Sequence, residues 1–238
     1  MPVAATLHRV DGILVLWDVD HTLVDVDGLG REAYDLAFLR RFGTAVTHQP
    51  PMAGRTDRAI AIDMLRCNGV AVTEPHLEDL REGAEAALDE LAHLLPTRGR
   101  ALPGAAAALA ALHGQTLQSL LTGNVRRIAE VKLGPFGLAA HLDLDAGAYG
   151  WSHEVRAELV AVARLNAYRR SNRHFDRVVL IGDTPEDVGA ALASGAGVVG
   201  VATGRYSRAD LEAAGAHVAL DDLADTDRVQ DAIRRAAR

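Results

Sequence analysis

Cysteine is almost absent from this 238-residue chain: Cys67 is the only one, so no internal disulfide can staple the fold. A lone cysteine fits a reducing, cytoplasmic compartment, and its apolar helical surroundings predict that Cys67 is a small buried hydrophobe. Lysine is nearly as scarce, with Lys132 the one lysine among 25 basic residues. A positive charge excess is missing too. The formal net charge of −7 argues against nucleic acid or an anionic membrane surface as partner. No apolar run approaches the roughly 20 residues of a membrane span. The first such run, 13–17, is cut short by Asp18 and does not read as a signal peptide.

What is present is an alternation. Apolar runs at 13–17, 117–121, 178–182 and 198–202 are separated by Ala- and Leu-rich segments at 101–113, 125–133, 153–170 and 185–194. Strands alternating with helices predict a parallel sheet covered on both faces, an α/β Rossmann-like core. The region 27–97 lacks a convincing strand and reads as helices over 30–42, 57–67 and 75–95, broken at Gly43, Pro50-Pro51 and Gly69. We therefore expect a core of 1–26 and 98–238 and a smaller helical insert of 27–97. Gly28, Gly30 and Thr97-Arg98-Gly99 would mark the crossings.

The chemistry gathers where strands end. The first run closes on Asp18-Val19-Asp20-His21-Thr22, the second on Thr122-Gly123-Asn124 and the third on Gly182-Asp183-Thr184-Pro185-Glu186-Asp187. Open α/β sheets hold ligands at the carboxyl ends of their strands. Carboxylates this close raise one another's pKa unless a cation compensates, which points to a metal-assisted site. An Asp-x-Asp alone is ordinary turn chemistry; the second acidic cluster downstream gives the pair its weight.

In these motifs the chain resembles the haloacid dehalogenase-like (HAD) hydrolase superfamily. Asp18-x-Asp20-x-Thr22 matches its first motif, Thr122 its second and Gly182-Asp183-x-x-x-Asp187 its fourth. The resemblance spans nearly the whole chain. Gly54-Arg55-Thr56-Asp57 adds a likeness to members of the phosphoglycolate phosphatase type, and the insert takes the place of their α-helical cap. It implies that Asp18 is the nucleophile and Asp20 the general acid and base. Mg²⁺ would be held by Asp18, the backbone carbonyl of Asp20 and Asp183, with Asp187 either at the metal site or in a helix capping box begun by Thr184. Thr122, with Gly123, Asn124 and the amides opening the next helix, would bind the phosphoryl group. Arg55 would bind a second anion of the substrate or lie exposed beside a helix cap; His21 would touch substrate or fill a turn.

The resemblance breaks at the third motif, where the family usually has a lysine. Lys132 lies too soon after Thr122, in a helix that reads as structural, so Arg156 is the expected substitute. The resulting expectation is a Mg²⁺-dependent phosphatase acting on a small phosphorylated metabolite. A β-phosphoglucomutase-like mutase and a non-catalytic phosphate-binding protein are the alternatives. The sequence leaves the oligomeric state open.

Overall fold

The computed structural model describes residues 12–238; positions 1–11 of the expected core lie outside the described residues. β1 (Ile13–Trp17) is the keystone, with every residue buried. Its side chains alternate. Ile13, Val15 and Trp17 enter one apolar cluster, while Leu14 and Leu16 enter a second on the opposite face. β1 is buried on both faces and its five residues are all apolar, which is why it reads as a continuous apolar run.

β4 (Leu117–Thr122) and β6 (Arg177–Gly182) both pair parallel with β1, one on each side. β5 (Ala148–Tyr149), β7 (Gly197–Val201) and β8 (Val218–Leu220) complete a six-stranded sheet in the order β5-β4-β1-β6-β7-β8. All its pairings are parallel. The chain first builds outward on one side of β1 and then on the other. This reversal opens a crevice at the carboxyl ends of β4, β1 and β6. The sheet is flanked by α5 (Ala105–Leu112), α6 (Arg126–Leu133), α7 (Glu158–Ser171), α8 (Pro185–Ala193), α9 (Arg208–Ala213) and α10 (Thr226–Ala236).

Residues 27–97 hold the expected helices: α1 (Leu29–Phe42), α2 (Asp57–Cys67) and α3 (Glu74–Leu91), then a short α4 (Leu95–Arg98). A two-stranded antiparallel ribbon of β2 (Val24–Asp25) and β3 (Arg100–Ala101) ties the exit to the return. α1 and α3 pack closely because Gly83 faces Ala37, where an added Cβ would sit 3.0 Å from the Ala37 Cβ. Cys67 departs from expectation. It is exposed, since the buried stripe of α2 runs through Ile60, Ala61, Met64 and Leu65 and the last turn points Cys67 away from it.

Candidate active site

The sheet order makes neighbours of residues far apart in the chain. Asp18 continues β1, its amide donating to Ile181 O at 2.9 Å. Thr122 ends the strand on one side, and Asp183 follows the strand on the other. These three, with Asp20, His21, Gly123, Asn124, Arg55 and Arg156, line one cavity of about 320 Å³ beneath the helical insert.

Arg156 belongs to this floor. It lies in a turn just before α7, which begins at Glu158 and not at 153 as the sequence suggests, and it is buried. Its Nη2 stands 2.6 Å from Asp18 Oδ1 and 2.6 Å from Asp187 Oδ1, and Nη1 donates to Gly54 O in the insert at 3.3 Å. Burial disfavours its charge, but Asp187 and Asp18 outweigh that and raise its pKa further. Asp187 has both oxygens engaged. Oδ2 accepts from the Thr184 amide at 3.1 Å and from its hydroxyl at 2.6 Å, closing the expected capping box on α8.

Asp18, Asp183 and Asp187 each offer one carboxylate oxygen, all within 4.8 Å of one another. Arg156 serves two of these carboxylates. Asp183 has no hydrogen-bond or ion-pair partner among the described residues, and burial with Asp18 and Asp187 alongside pushes its pKa up to about 9. Burial, opposed by Arg156 and reinforced by Asp187 and Asp20, pushes Asp18 up to about 7. A buried, all-oxygen cluster of three carboxylates against one guanidinium fits a hard divalent cation such as Mg²⁺. Gly204 keeps the space open, since a Cβ there would meet Asp183 Oδ2 at 1.9 Å.

Asp20 is held differently. Lys132 Nζ lies 2.7 Å from both its oxygens and 2.7 Å from Asn124 Oδ1. Asn124 Nδ2 donates to Asp20 Oδ2 and to Thr122 Oγ1, each at 2.8 Å. Burial would raise the Asp20 carboxyl, but the ammonium and these hydrogen bonds hold it below the ordinary carboxylate range. Lys132 is thus a site residue, against the structural role expected from its place in the chain. The available signal was its helical phase. It shares the buried face of α6 with Ile128 and Ala129.

The insert is strapped down over the crevice. The Asp57 amide donates to Gly123 O at 2.7 Å, Arg58 N to Gly150 O at 3.2 Å and Thr56 Oγ1 to Glu154 O at 3.0 Å. A Cβ on Gly123 would lie 2.0 Å from Arg55 O, and one on Gly150 1.8 Å from Gly123 O. Asp57 is buried and accepts from Val125 N at 2.7 Å. Two amides expected to face phosphate are therefore committed elsewhere, because Val125 N serves Asp57 and Asn124 N serves Thr122 Oγ1 at 3.2 Å.

Arg55 lines the cavity, yet its guanidinium is held by Asp63 Oδ2 at 2.7 Å and Pro51 O at 3.1 Å. Arg31 and Arg205, which the sequence did not single out, also line it, and neither has an ion-pair partner among the described residues. His21 occupies the left-handed region at φ 55, exposed at the rim, its carbonyl accepting from Thr203 Oγ1 at 2.5 Å. Among the described residues no helix is long and apolar enough to cross a membrane.

The sequence profile of the haloacid dehalogenase-like hydrolases matches residues 15–192. Among curated proteins none matches the chain. Of solved structures, a hydrolase from Pseudomonas syringae is similar at 24% identity and a TM-score of 0.64, over 92% of this chain and 98% of that one. A protein from Bacteroides vulgatus, named provisionally as a β-phosphoglucomutase, is similar at 16% identity and a TM-score of 0.66, over 97% and 92%. A predicted phosphoglycolate phosphatase from Haemophilus somnus is similar at 18% identity and a TM-score of 0.58, over 91% and 97%.

Proposed function

The chain belongs to the haloacid dehalogenase-like hydrolases, and we propose that it hydrolyses a small phosphomonoester with Mg²⁺, passing the phosphoryl group through Asp18. The observation that carries this reading is the meeting of Asp18, Thr122 and Asp183 at three adjacent strand ends around Arg156. Asp18 supplies the attacking oxygen. The bond from phosphorus to the leaving oxygen breaks, and that oxygen takes the proton of Asp20. Asp20 then accepts a proton from the water that attacks phosphorus and frees Asp18. An aspartate at position 20 favours phosphate esters over carbon–halogen bonds, since an ester leaving group needs that proton.

Thr122 Oγ1 accepts from Asn124, which leaves its own hydrogen for a phosphoryl oxygen. Arg156 offers charge to the same group, held in line by Asp187. Asp18, Asp183 and the Asp20 carbonyl would hold Mg²⁺, which supplies further neutralisation of phosphoryl charge.

For the leaving group, the cavity is small and two arginines without ion-pair partners among the described residues face it, Arg31 from the insert and Arg205 from the core. Those cations support a leaving group carrying its own anion, such as the carboxylate of phosphoglycolate, ahead of an uncharged sugar. The test is phosphate release from a panel of phosphoglycolate, sugar phosphates and nucleotides with Mg²⁺. Isomerisation of a sugar phosphate without phosphate release would replace this reading with a mutase.

A further inference from the structure

Arginine fills every basic position in this chain but one, and the exception is the cation in contact with Asp20. The surroundings of Lys132 give a physical reason. Its side chain is buried, and each of its three ammonium hydrogens has one acceptor: Asp20 Oδ1, Asp20 Oδ2 and Asn124 Oδ1. The α1 backbone closes the remaining side, for a Cβ on Gly30 would come within 3.3 Å of Nζ. A compact ammonium fits this space, whereas a planar guanidinium with five donors is larger and would leave donors unpaired.

The result is a clamp. Lys132 grips both Asp20 oxygens, and Asn124 donates to one of them while also holding Thr122. Asp20 is nevertheless less enclosed than Asp18 and Asp183, its side chain 38% exposed. Free rotation there would turn the carboxyl away from the leaving oxygen.

We propose that Lys132 is a positioning residue for Asp20, fixing the carboxyl toward the leaving-group oxygen. This inference rests on the phosphatase reading. When the phosphorus–oxygen bond breaks, its electron pair goes to the leaving oxygen and the Asp20 proton follows. A Lys132 that only pinned α6 to the β1 loop would affect every substrate alike.

Leaving-group dependence separates the two roles. An alkyl alcohol leaves poorly without a proton, while para-nitrophenol leaves as the anion. The experiment measures kcat/KM for glycerol 2-phosphate and para-nitrophenyl phosphate at saturating Mg²⁺, using wild type, Lys132→Met, Lys132→Arg, Asp20→Asn and the Lys132→Met/Asp20→Asn double variant. We expect Lys132→Met to lose roughly two orders of magnitude on the alkyl ester and less than about tenfold on the aryl ester. Lys132→Arg should not restore the difference, and the double variant should be no worse than Asp20→Asn alone. If Lys132→Met does not fold, Gly30→Ala carries the same test, since its methyl crowds Nζ while the charge stays. Equal losses on both esters in a folded variant, or losses that add to those of Asp20→Asn, would overturn the proposal while leaving the phosphatase reading intact. A wild type that releases phosphate from neither ester would overturn both.

Discussion

Arg156 Nη2 rests 2.6 Å from Asp18 Oδ1, joining two residues 138 positions apart in a buried ion pair. The contact puts a fixed positive charge beside the oxygen that would attack phosphorus. Arg156→Ala should lower kcat by roughly two orders of magnitude or more, the scale for losing one preorganised charge donor. Arg156→Lys should recover part of the loss, since an ammonium restores charge without the fork whose Nη1 also reaches Gly54 O. Steady-state kinetics on folded variants is the check, and unchanged kcat in the Ala variant would refute the role.

Metal dependence should be absolute. Excess EDTA is expected to abolish turnover and Mg²⁺ to restore it. Calorimetry should show Mg²⁺ binding to wild type that Asp183→Asn weakens. Gly204→Ala should weaken it also, by driving a methyl against Asp183 Oδ2. Full turnover in EDTA, or wild-type Mg²⁺ affinity in Asp183→Asn, would contradict this account of the cluster.

Substrate ranking should follow Arg31 and Arg205 more than Arg55. The first two have no ion-pair partner among the described residues, while Arg55 is anchored to Asp63. Arg31→Ala and Arg205→Ala should raise KM for phosphoglycolate at least several-fold and leave para-nitrophenyl phosphate nearly unchanged. Arg55→Ala should act chiefly on insert stability. A selective loss of phosphoglycolate in Arg55→Ala alone would return the role to that residue.

Asp57 gives the fold a pH dependence of defined sign. Burial, partly offset by Lys132 and the Val125 amide, pushes its carboxyl up to about 6. A raised folded-state value means the folded protein holds the proton more tightly than the unfolded chain. The stabilisation is therefore full below the unfolded value of about 3.8 and is lost as pH rises through about 6. Asp57→Asn removes this titration and can still accept from Val125. Its melting temperature should gain on wild type by a few degrees between pH 4 and pH 7. Parallel melting curves across that range would refute the assignment.

Much of the site was legible because β1, β4 and β6 are buried on both faces. Their apolar stretches, which in β4 follow the buried Gln118 and Ser119, stop where the site begins, at Asp18, Thr122 and Asp183. The capping box of Thr184 and Asp187 was equally readable, being local. β5 and β8 were missed because two or three residues carry no periodicity. Lys132 was missed because distance along the chain is a poor guide once a helix folds back. α6 returns it to Asp20 across 112 positions. The partners of Arg55, and the lack of an ion-pair partner at Arg31 among the described residues, depend on packing between elements, which no local pattern encodes.

The account centres on a phosphoryl group carried by Asp18. Asp20→Asn should slow the release of that group, because the base for the attacking water is gone, while para-nitrophenyl phosphate still reacts without a proton for its leaving group. The measurement is acid quenching of this variant during turnover of para-nitrophenyl phosphate with Mg²⁺, followed by peptide mass spectrometry. One phosphoryl group on the peptide containing Asp18, absent when Asp18 is also changed to Asn, is the predicted result. Turnover with no phosphorylated peptide, or a label that survives Asp18→Asn, would contradict the mechanism.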